Sequence, residues 1–182
     1  MSVKQRLLNA GTALLHEHGL GALTQPRIAK AAGVSQSHLT YYFPTRNDLL
    51  LAIAEHSVDE ALARPMAEPG ADPVRTLAAA IRFLPRVRML LGLVAAADQA
   101  PPLRDPMSRL ITHVRQSVGQ LLTRLGYRAD APEVLAFHAT VIGLAVMNLG
   151  RQSPESEHEL EIGLQQMLGM LPRCASHGRS AP

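Results

Sequence analysis

The segment TQPRIAKAAGVSQSHLTYYFP contains start and stop signals for two short, consecutive helices. Thr24 can cap the first helix, and Gly33 stops it after about two turns, since glycine tolerates the left-handed backbone that often ends a helix. Ser35 can cap the second helix, which we expect to run through Phe43. Pro44 then closes it, because the residue before a proline avoids the helical region. Two short helices joined by so tight a turn predict a helix-turn-helix unit.

Apolar residues recur at helical spacing on both sides of this unit. A first helix is predicted from about residue 3 to His18 and ends at Gly19. Thr45, followed three residues later by Asp48, resembles a capping box for a long fourth helix. After the proline-rich linker RPMAEPGADP, five more helices are predicted at roughly 73–83, 86–98, 103–125, 132–150 and 154–171. The pattern predicts an all-α fold.

Composition indicates a soluble globular protein. Of the 182 residues, 47% are hydrophobic and 18% are charged, a balance that supports a buried core. Cys174 is the single cysteine, so no disulfide framework is expected, which fits a reducing cytosol. The N-terminus lacks a long apolar run, so we expect no signal peptide and a cytoplasmic location.

Positive charge is concentrated at the N-terminal end of the chain. Residues 1–50 contain five lysines and arginines against two acidic residues, whereas the remainder contains thirteen of each. The sequence pI is about 9.5. A basic excess at one end favours a polyanionic partner there.

The second helix of the unit is expected to have one apolar and one polar face. Leu39 and Phe43, four residues apart, point into the core. The outward face has hydrogen-bonding groups that suit base edges and phosphates, and it consists of Gln36, Ser37, Thr40 and Tyr41. Taken alone, such a face is more typical of a solvated helix with two half-buried tyrosines.

Residues 7–50 as a whole resemble the tetracycline-repressor (TetR) family of transcriptional regulators. The similarity rests on the elements HGL, Thr24, IAKAAGVS, the YYF end of the recognition helix with its proline, and TRNDLL at the start of the fourth helix. It implies a three-helix DNA-binding head on a helical body that dimerises through its last two helices and often binds a small apolar ligand. We accordingly expect a helix-turn-helix domain at 1–46, a regulatory and dimerisation domain at 47–173 and a flexible tail at 174–182.

The resemblance implies that the second, third and fourth helices contact double-stranded DNA. Tyr41 and Tyr42 would reach phosphates, Gln36 could bond an adenine through its amide, and the methyl group of Thr40 could contact a thymine. The predicted set is Thr24, Gln25, Arg27, Ser35, Gln36, Ser37, His38, Thr40, Tyr41, Tyr42 and Arg46. Thr40 stands where family members often carry tyrosine, and Tyr42 where many carry histidine. The operator sequence therefore cannot be transferred from a relative.

A small-molecule effector is expected in the body. Apolar residues dominate helices 86–98, 103–125 and 132–150, and a cavity between them would suit an apolar ligand. The isolated polar residues His113, His138 and Asn148 could orient it. Each of the three is more readily explained as a satisfied core or interface residue.

A homodimer is the expected assembly. Helix 132–150 is apolar nearly all round and therefore needs a partner on more than one side, and helix 154–171 carries an apolar stripe. A two-fold dimer would join these helices in a four-helix bundle. The predicted interface is Ala139, Gly143, Leu160, Leu164, Met167 and Leu168. The alternative is a monomer whose final helix pair is buried.

Other patterns support weaker alternatives. The two histidines of HEH at 16–18 lie on opposite faces of a helix, and the group Glu155, His158 and Glu161 is better explained by the dipole of a helix N-terminus, so no metal site is expected. The uncharged run from Val134 to Gly150 favours a buried helix over a membrane span. No catalytic motif is present, so neither enzymatic activity nor a cofactor is expected.

These features predict a repressor that binds an inverted-repeat operator as a homodimer and is released by a small apolar ligand. The alternative is a helical small-molecule-binding protein or enzyme whose helix-turn-helix head is only structural. Binding of the protein to the DNA upstream of its own gene separates the two hypotheses.

Overall fold

A computed structural model describes residues 1–63 and 72–174, and the regular elements within these ranges are helices. Their bounds are α1 Val3–His18, α2 Gln25–Ala32, α3 Gln36–Tyr42, α4 Arg46–Ala63, α5 Pro73–Arg82, α6 Leu84–Gln99, α7 Arg104–Arg124, α8 Ala131–Arg151 and α9 Pro154–Met170. The predicted all-α fold is confirmed. Most of the predicted linker and all but Cys174 of the predicted tail lie outside the described residues.

The turn between α2 and α3 is made by Gly33. Its φ of 63° and ψ of 40° are left-handed, a conformation that glycine adopts without steric cost. The amide of Val34 donates to Ala29 O over 3.0 Å, which closes the C-terminus of α2. Ser35 then caps α3, because its Oγ accepts from the backbone N of His38 at 3.3 Å. The predicted helix-turn-helix connection is present.

The third helix is one residue shorter than predicted. It ends at Tyr42, and Phe43 follows with a φ of −135° and a ψ of 85°. Pro44 disfavours helical backbone in the residue before it, so Phe43 leaves the helix while its ring stays buried. At the start of α2, Thr24 occupies the capping position, but its side chain makes no capping bond.

The fourth helix starts with the predicted capping box. Asp48 Oδ2 accepts from the backbone N of Thr45 at 3.0 Å and from its hydroxyl at 2.7 Å. In return, the backbone N of Asp48 donates to Thr45 Oγ1 at 3.1 Å. Two amides that no helical carbonyl can reach are thereby satisfied. The box fixes the direction in which α4 leaves the helix-turn-helix.

Two buried clusters form the core. The first joins α1–α4 and contains Leu7, Leu15, Ile28, Leu39 and Ile53, together with residues of α6 and α7. The second joins α5–α9. Since the first cluster extends into α6 and α7, the head shares its core with the body, and a displacement of α6 or α7 is felt directly by α1 and α4.

The crossing of α1 and α4 depends on the absence of a side chain at Gly11. A methyl group on Gly11 would lie 2.7 Å from Cγ1 of Ile53, which is completely buried. We expect Gly11→Ala to lower the free energy of unfolding by about 1–3 kcal/mol, since overpacking forces the two helices apart. Chemical denaturation measures the change.

The matched control for this prediction is Gly92→Ala. Gly92 lies within α6, and no atom stands within 4 Å of the position that its methyl group would occupy. The same substitution should there leave the protein as stable as before or raise its stability by up to about 1 kcal/mol through helix propensity. Equal effects of the two substitutions would contradict the tight crossing.

Candidate DNA-binding surface and body cavity

The predicted DNA-contacting residues lie at the start of α2, along α3 and at the start of α4. Ten of the eleven are solvent-exposed, and Gln25 is half-buried. Tyr41 has 80% of its surface exposed and Tyr42 has 40%, with their rings in an edge-to-face contact at 5.3 Å. The two tyrosines do not contribute to the protomer core at this end of α3, because Leu39 and Phe43 are the residues buried there.

The hydroxyl groups of Thr40 and of the N-cap residue Ser35 already form hydrogen bonds with the backbone of α3. The Thr40 hydroxyl donates to Gln36 O at 2.9 Å, so its methyl group is the part of the side chain left for an outside contact. The hydroxyl of Ser35 accepts the capping bond from His38 N and keeps its own proton for another acceptor. The amide of Gln36 is exposed, as a base-reading amide must be.

The basic residues of the head have different surroundings. Arg27 and Arg46 are exposed near the N-termini of α2 and α4, where backbone amides and the helix dipole also favour an anion. Arg6 instead donates to Ala32 O at 3.4 Å and ties α1 to the end of α2. The carboxylate of Asp48 accepts two hydrogen bonds from Thr45 within the capping box.

A cavity of about 310 Å³ lies in the body between α4, α5, α6, α7 and α8. Its lining is almost entirely apolar, with Val58, Leu77, Leu90, Val114, Phe137 and Ile142 among the residues that form it. Three polar side chains also line it: Arg86, Arg115 and His138. A cavity of this size and polarity is typical of a site for a small organic molecule.

His138 is the one of the three predicted ligand-orienting residues that the structure brings to this cavity. It is buried, and desolvation lowers the pKa of its imidazole below the usual value, with the positive charge of Arg115 lowering it further. The imidazole is therefore neutral near pH 7.

His113 and Asn148 do not line the cavity. His113 Nε2 lies 2.8 Å from Asp59 Oδ1, so the histidine joins α7 to α4. Asn148 Oδ1 accepts from the hydroxyl of Ser156 at 2.7 Å and fixes the corner between α8 and α9. The hydrogen-bonding groups of both residues are thus satisfied within the protein, which fits the alternative explanation given above for each of them.

The sequence prediction missed Arg86, which joins the cavity wall to α4 and α5. The residue is buried, and its Nε and Nη1 donate at 2.8 Å to Ser57 Oγ of α4 and to Ala80 O of α5. The guanidinium lies 5.0 Å from the centroid of the Phe83 ring. Phe83 in turn stacks on His16 of α1, with 4.1 Å between ring centroids. A short chain of contacts therefore links the cavity wall to α1 and α4.

The apolar stripe of α9 belongs to the protomer core. Leu160, Leu164 and Leu168 are buried in the second core cluster, where α9 packs against α5 and α8, so they are not available for the predicted dimer interface. Met167 is half-buried at the edge of the same cluster. An apolar stripe shows that a helix face is buried, and here the neighbouring helices of the same chain already bury it.

The uncovered apolar surface lies on α8 instead. Its exposed apolar residues share one side of the helix, which we call the open face of α8 and which includes Leu135, Ala139, Ile142, Gly143, Val146 and Met147. Four of them, Leu135, Ala139, Ile142 and Val146, also line the cavity, which therefore opens at this face. Ala139 and Gly143 therefore stay candidates for a dimer contact. The prediction that this helix is buried is met only in part, because the face opposite the core is open.

By length and composition alone, the same helix is long and apolar enough to cross a membrane. The stretch Pro132–Arg151 has a mean hydropathy of 1.5, and 28% of it is buried within the described protein. A helix at a subunit interface has the same character.

The possible metal ligands are not assembled into a site. Among the described residues, no group of three or more histidine, cysteine or acidic side chains could hold a metal ion. Glu161 forms an ion pair with Arg82 at 2.7 Å, and His16 stacks on Phe83.

Comparisons with known proteins point to one family. Residues 7–53 match the family described as "Bacterial regulatory proteins, tetR family". The HTH-type transcriptional regulator CymR of Pseudomonas putida is 31% identical over 169 residues, which cover 85% of this chain and 83% of CymR. The HTH-type transcriptional repressor LfrR of Mycolicibacterium smegmatis is 37% identical over 106 residues, or 57% of this chain and 53% of LfrR. The crystal structure of the multidrug binding protein EbrR complexed with imidazole is 25% identical, with a TM-score of 0.58 over 98% of this chain and 99% of EbrR.

Proposed function

The chain belongs to the TetR family of bacterial transcriptional regulators, and we propose that it is a dimeric repressor released from its operator by a small ligand. The observation that carries the proposal is the exposed, hydrogen-bonding face of α3, which ends in two solvent-exposed tyrosines. We assign the DNA-binding domain to residues 1–46 and the regulatory domain to 47–173. Because a repressor acts on chromosomal DNA, the proposed location is the cytoplasm.

Within the head, we assign different tasks to different residues. Tyr41, Tyr42 and Arg46 would bind phosphates and set the position of α3 in the major groove. Gln36 would contact a base edge, with Ser37, His38 and the Thr40 methyl beside it. At the start of α2, Thr24, Gln25 and Arg27 would hold a neighbouring phosphate. Thr24 suits this task because its side chain makes no capping bond.

The proposed dimer is formed through the open face of α8. This face presents four large apolar side chains to solvent, which is unusual for a monomeric protein. Ala139 and Gly143 at its centre permit close approach of a second helix. A two-fold dimer would present two heads to successive major grooves, which is why the operator is expected to be an inverted repeat.

Release by a ligand is supported by the position of the cavity. Arg86 belongs to its wall and donates to Ser57 on α4, the helix that also begins with Arg46. Phe83 extends the connection to α1 through His16. A ligand that displaced Arg86 would shift α4 and, through Phe83 and His16, helix α1 of the head. EbrR, which is called a multidrug binding protein and was crystallised with imidazole, supports a ligand-binding body.

Three substitutions in the head test the proposed division of tasks. We expect Tyr41→Phe and Arg46→Ala each to weaken binding by roughly 1 kcal/mol on every DNA sequence, because phosphate contacts are independent of sequence. Arg46→Ala should also reduce the slope of log affinity against log salt by about 1. Gln36→Ala should cost about 1–3 kcal/mol on the operator alone and relax the preference at one base pair per half-site.

The measurement is a salt series of affinities for an operator selected from random duplexes and for a scrambled duplex of the same length. Arg109→Ala and Gln120→Ala on α7 are matched controls, since both residues are exposed on a helix of the body. If the three head variants bind operator DNA as tightly as the controls do, the head is only structural and the alternative function is favoured.

A further inference from the structure

The polar part of the cavity has one sign of charge. Its polar lining residues are Arg86, Arg115 and His138, and no aspartate or glutamate belongs to the described lining. Arg86 is buried, and two of its nitrogens are occupied by Ser57 and Ala80. An apolar pocket that contains guanidinium groups and no acid favours an anion over a cation.

Arg115 has the donor that such an anion would use. Arg115 is half-buried and lines the cavity, and its Nε is buried without a hydrogen-bond partner among the described residues. A buried N–H without an acceptor is unfavourable, so the site is completed by any ligand that supplies an oxygen there.

His138 lies close enough to Arg115 to be affected by its charge. Both side chains line the cavity, and the positive guanidinium adds to the effect of burial in lowering the pKa of the imidazole. A neutral imidazole can donate one hydrogen bond to a carboxylate without adding a charge. Arg115 and His138 together therefore offer one charged and one neutral donor.

We propose that the effector is an apolar monocarboxylate, held by Arg115 and His138 through its carboxylate while its hydrocarbon part fills the cavity. The proposal rests on the proposed effector function of this cavity and narrows the class of ligand. The volume of about 310 Å³ suits a compact aromatic acid or a medium-chain fatty acid. A cationic molecule would be repelled by the guanidinium groups, and the described lining contains no acidic residue to compensate its charge.

One acidic residue could compete for Arg115. Oε2 of Glu133, in the first turn of α8, is also buried without a hydrogen-bond partner, although Glu133 does not line the cavity. If its carboxylate moved to Arg115, it would cancel the charge that the proposed ligand needs. Glu133→Gln therefore belongs in the test, and it should leave the affinity for carboxylates the same or raise it.

The experiment measures binding of matched probes to the full-length protein in the absence of DNA. Naphthalene-2-carboxylate is compared with naphthalene-2-carboxamide and naphthalen-2-ylmethylammonium, and decanoate with decanamide and decylammonium, by calorimetry and by the shift in melting temperature. We expect at least one carboxylate to bind about tenfold or more tightly than its amide and its amine. In Arg115→Gln this preference should disappear while the affinity for the amide changes less than about twofold.

Arg109→Gln is the control, because Arg109 is exposed on the same helix and does not line the cavity. It should keep the full preference for carboxylates. Failure of both carboxylates to bind, a preference for the amides or amines, or an unchanged preference in Arg115→Gln would each overturn the proposal.

A gel shift with operator DNA separates this proposal from the proposed function. A carboxylate that binds through Arg115 without releasing DNA would support the site and contradict its effector role. Release of DNA by the amides or amines but not by the carboxylates would support an effector cavity and contradict the assigned ligand class.

Discussion

Replacing Gly143 with glutamate is expected to convert the proposed dimer into a monomer without destabilising the protomer. Gly143 lies on the open face of α8, and no atom stands within 4 Å of the position that its Cβ would occupy. The new side chain therefore clashes with nothing in its own chain, and helix propensity should stabilise α8 by up to about 1 kcal/mol. In the dimer, the two-fold axis would place two carboxylates in one apolar interface, at a desolvation cost of several kcal/mol for each.

The loss of the dimer should have a large effect on operator binding. Two linked heads bind an inverted repeat more tightly than one head by a factor set by their effective concentration, typically about 10²–10⁴. We expect the affinity of Gly143→Glu for the full operator to fall by that factor, while its affinity for a single half-site stays unchanged. Sedimentation at micromolar protein concentration and fluorescence anisotropy with both duplexes measure these effects.

Gly92→Glu is the matched control for this substitution. Gly92 is also a helical glycine with open space around its Cβ position, but it belongs to α6 and does not line the cavity. Its glutamate variant should stay dimeric and bind the operator like the parent protein. A Gly143→Glu protein that sediments as a dimer would show that the chains associate through another surface.

The helix limits were predictable because their signals are local. Gly33, Pro44 and the Thr45–Asp48 capping box each act within four residues, so their effect on the backbone does not depend on the rest of the fold. The error at Phe43 has a similarly local cause, since the effect of the following proline was assigned one residue too late.

The partners of the apolar faces were not predictable in the same way. The spacing of Leu160, Leu164 and Leu168 shows that one side of α9 is buried, but it does not distinguish a neighbouring helix from a second subunit. In the structure α9 packs against α5 and α8, which bury that stripe, and one face of α8 is left open instead. Which faces meet depends on the crossing of several helices, and a single-helix pattern does not contain that information.

The polar residues of the cavity show a related difficulty. Arg86 and Arg115 line the cavity, but arginine is usually exposed, so the sequence gives no reason to place them there. His113 and Asn148 are isolated polar residues in helices that were predicted to be largely apolar, and Asp59 and Ser156 satisfy them. Polar residues that serve a site and polar residues that serve the fold look alike until their partners are known.

The strongest expected effect on stability comes from Leu164→Ala. Leu164 is completely buried in the second core cluster, and a leucine-to-alanine change at such a site lowers the free energy of unfolding by about 2–5 kcal/mol. The measurement is best made in the monomeric Gly143→Glu background, because unfolding of a dimer depends on protein concentration. Urea denaturation of the single and double variants then gives the loss within the protomer alone.

Ile162→Ala is the control on the same helix, since 45% of Ile162 is exposed. In the monomeric background it should cost less than about 1 kcal/mol, because most of its apolar surface is already in contact with water. If Leu164 contributed to a subunit interface instead, its alanine variant would lower dimer affinity in the parent protein and leave the stability of the monomeric background unchanged. The ratio of the two unfolding losses therefore decides whether the apolar stripe of α9 stabilises the protomer or the assembly.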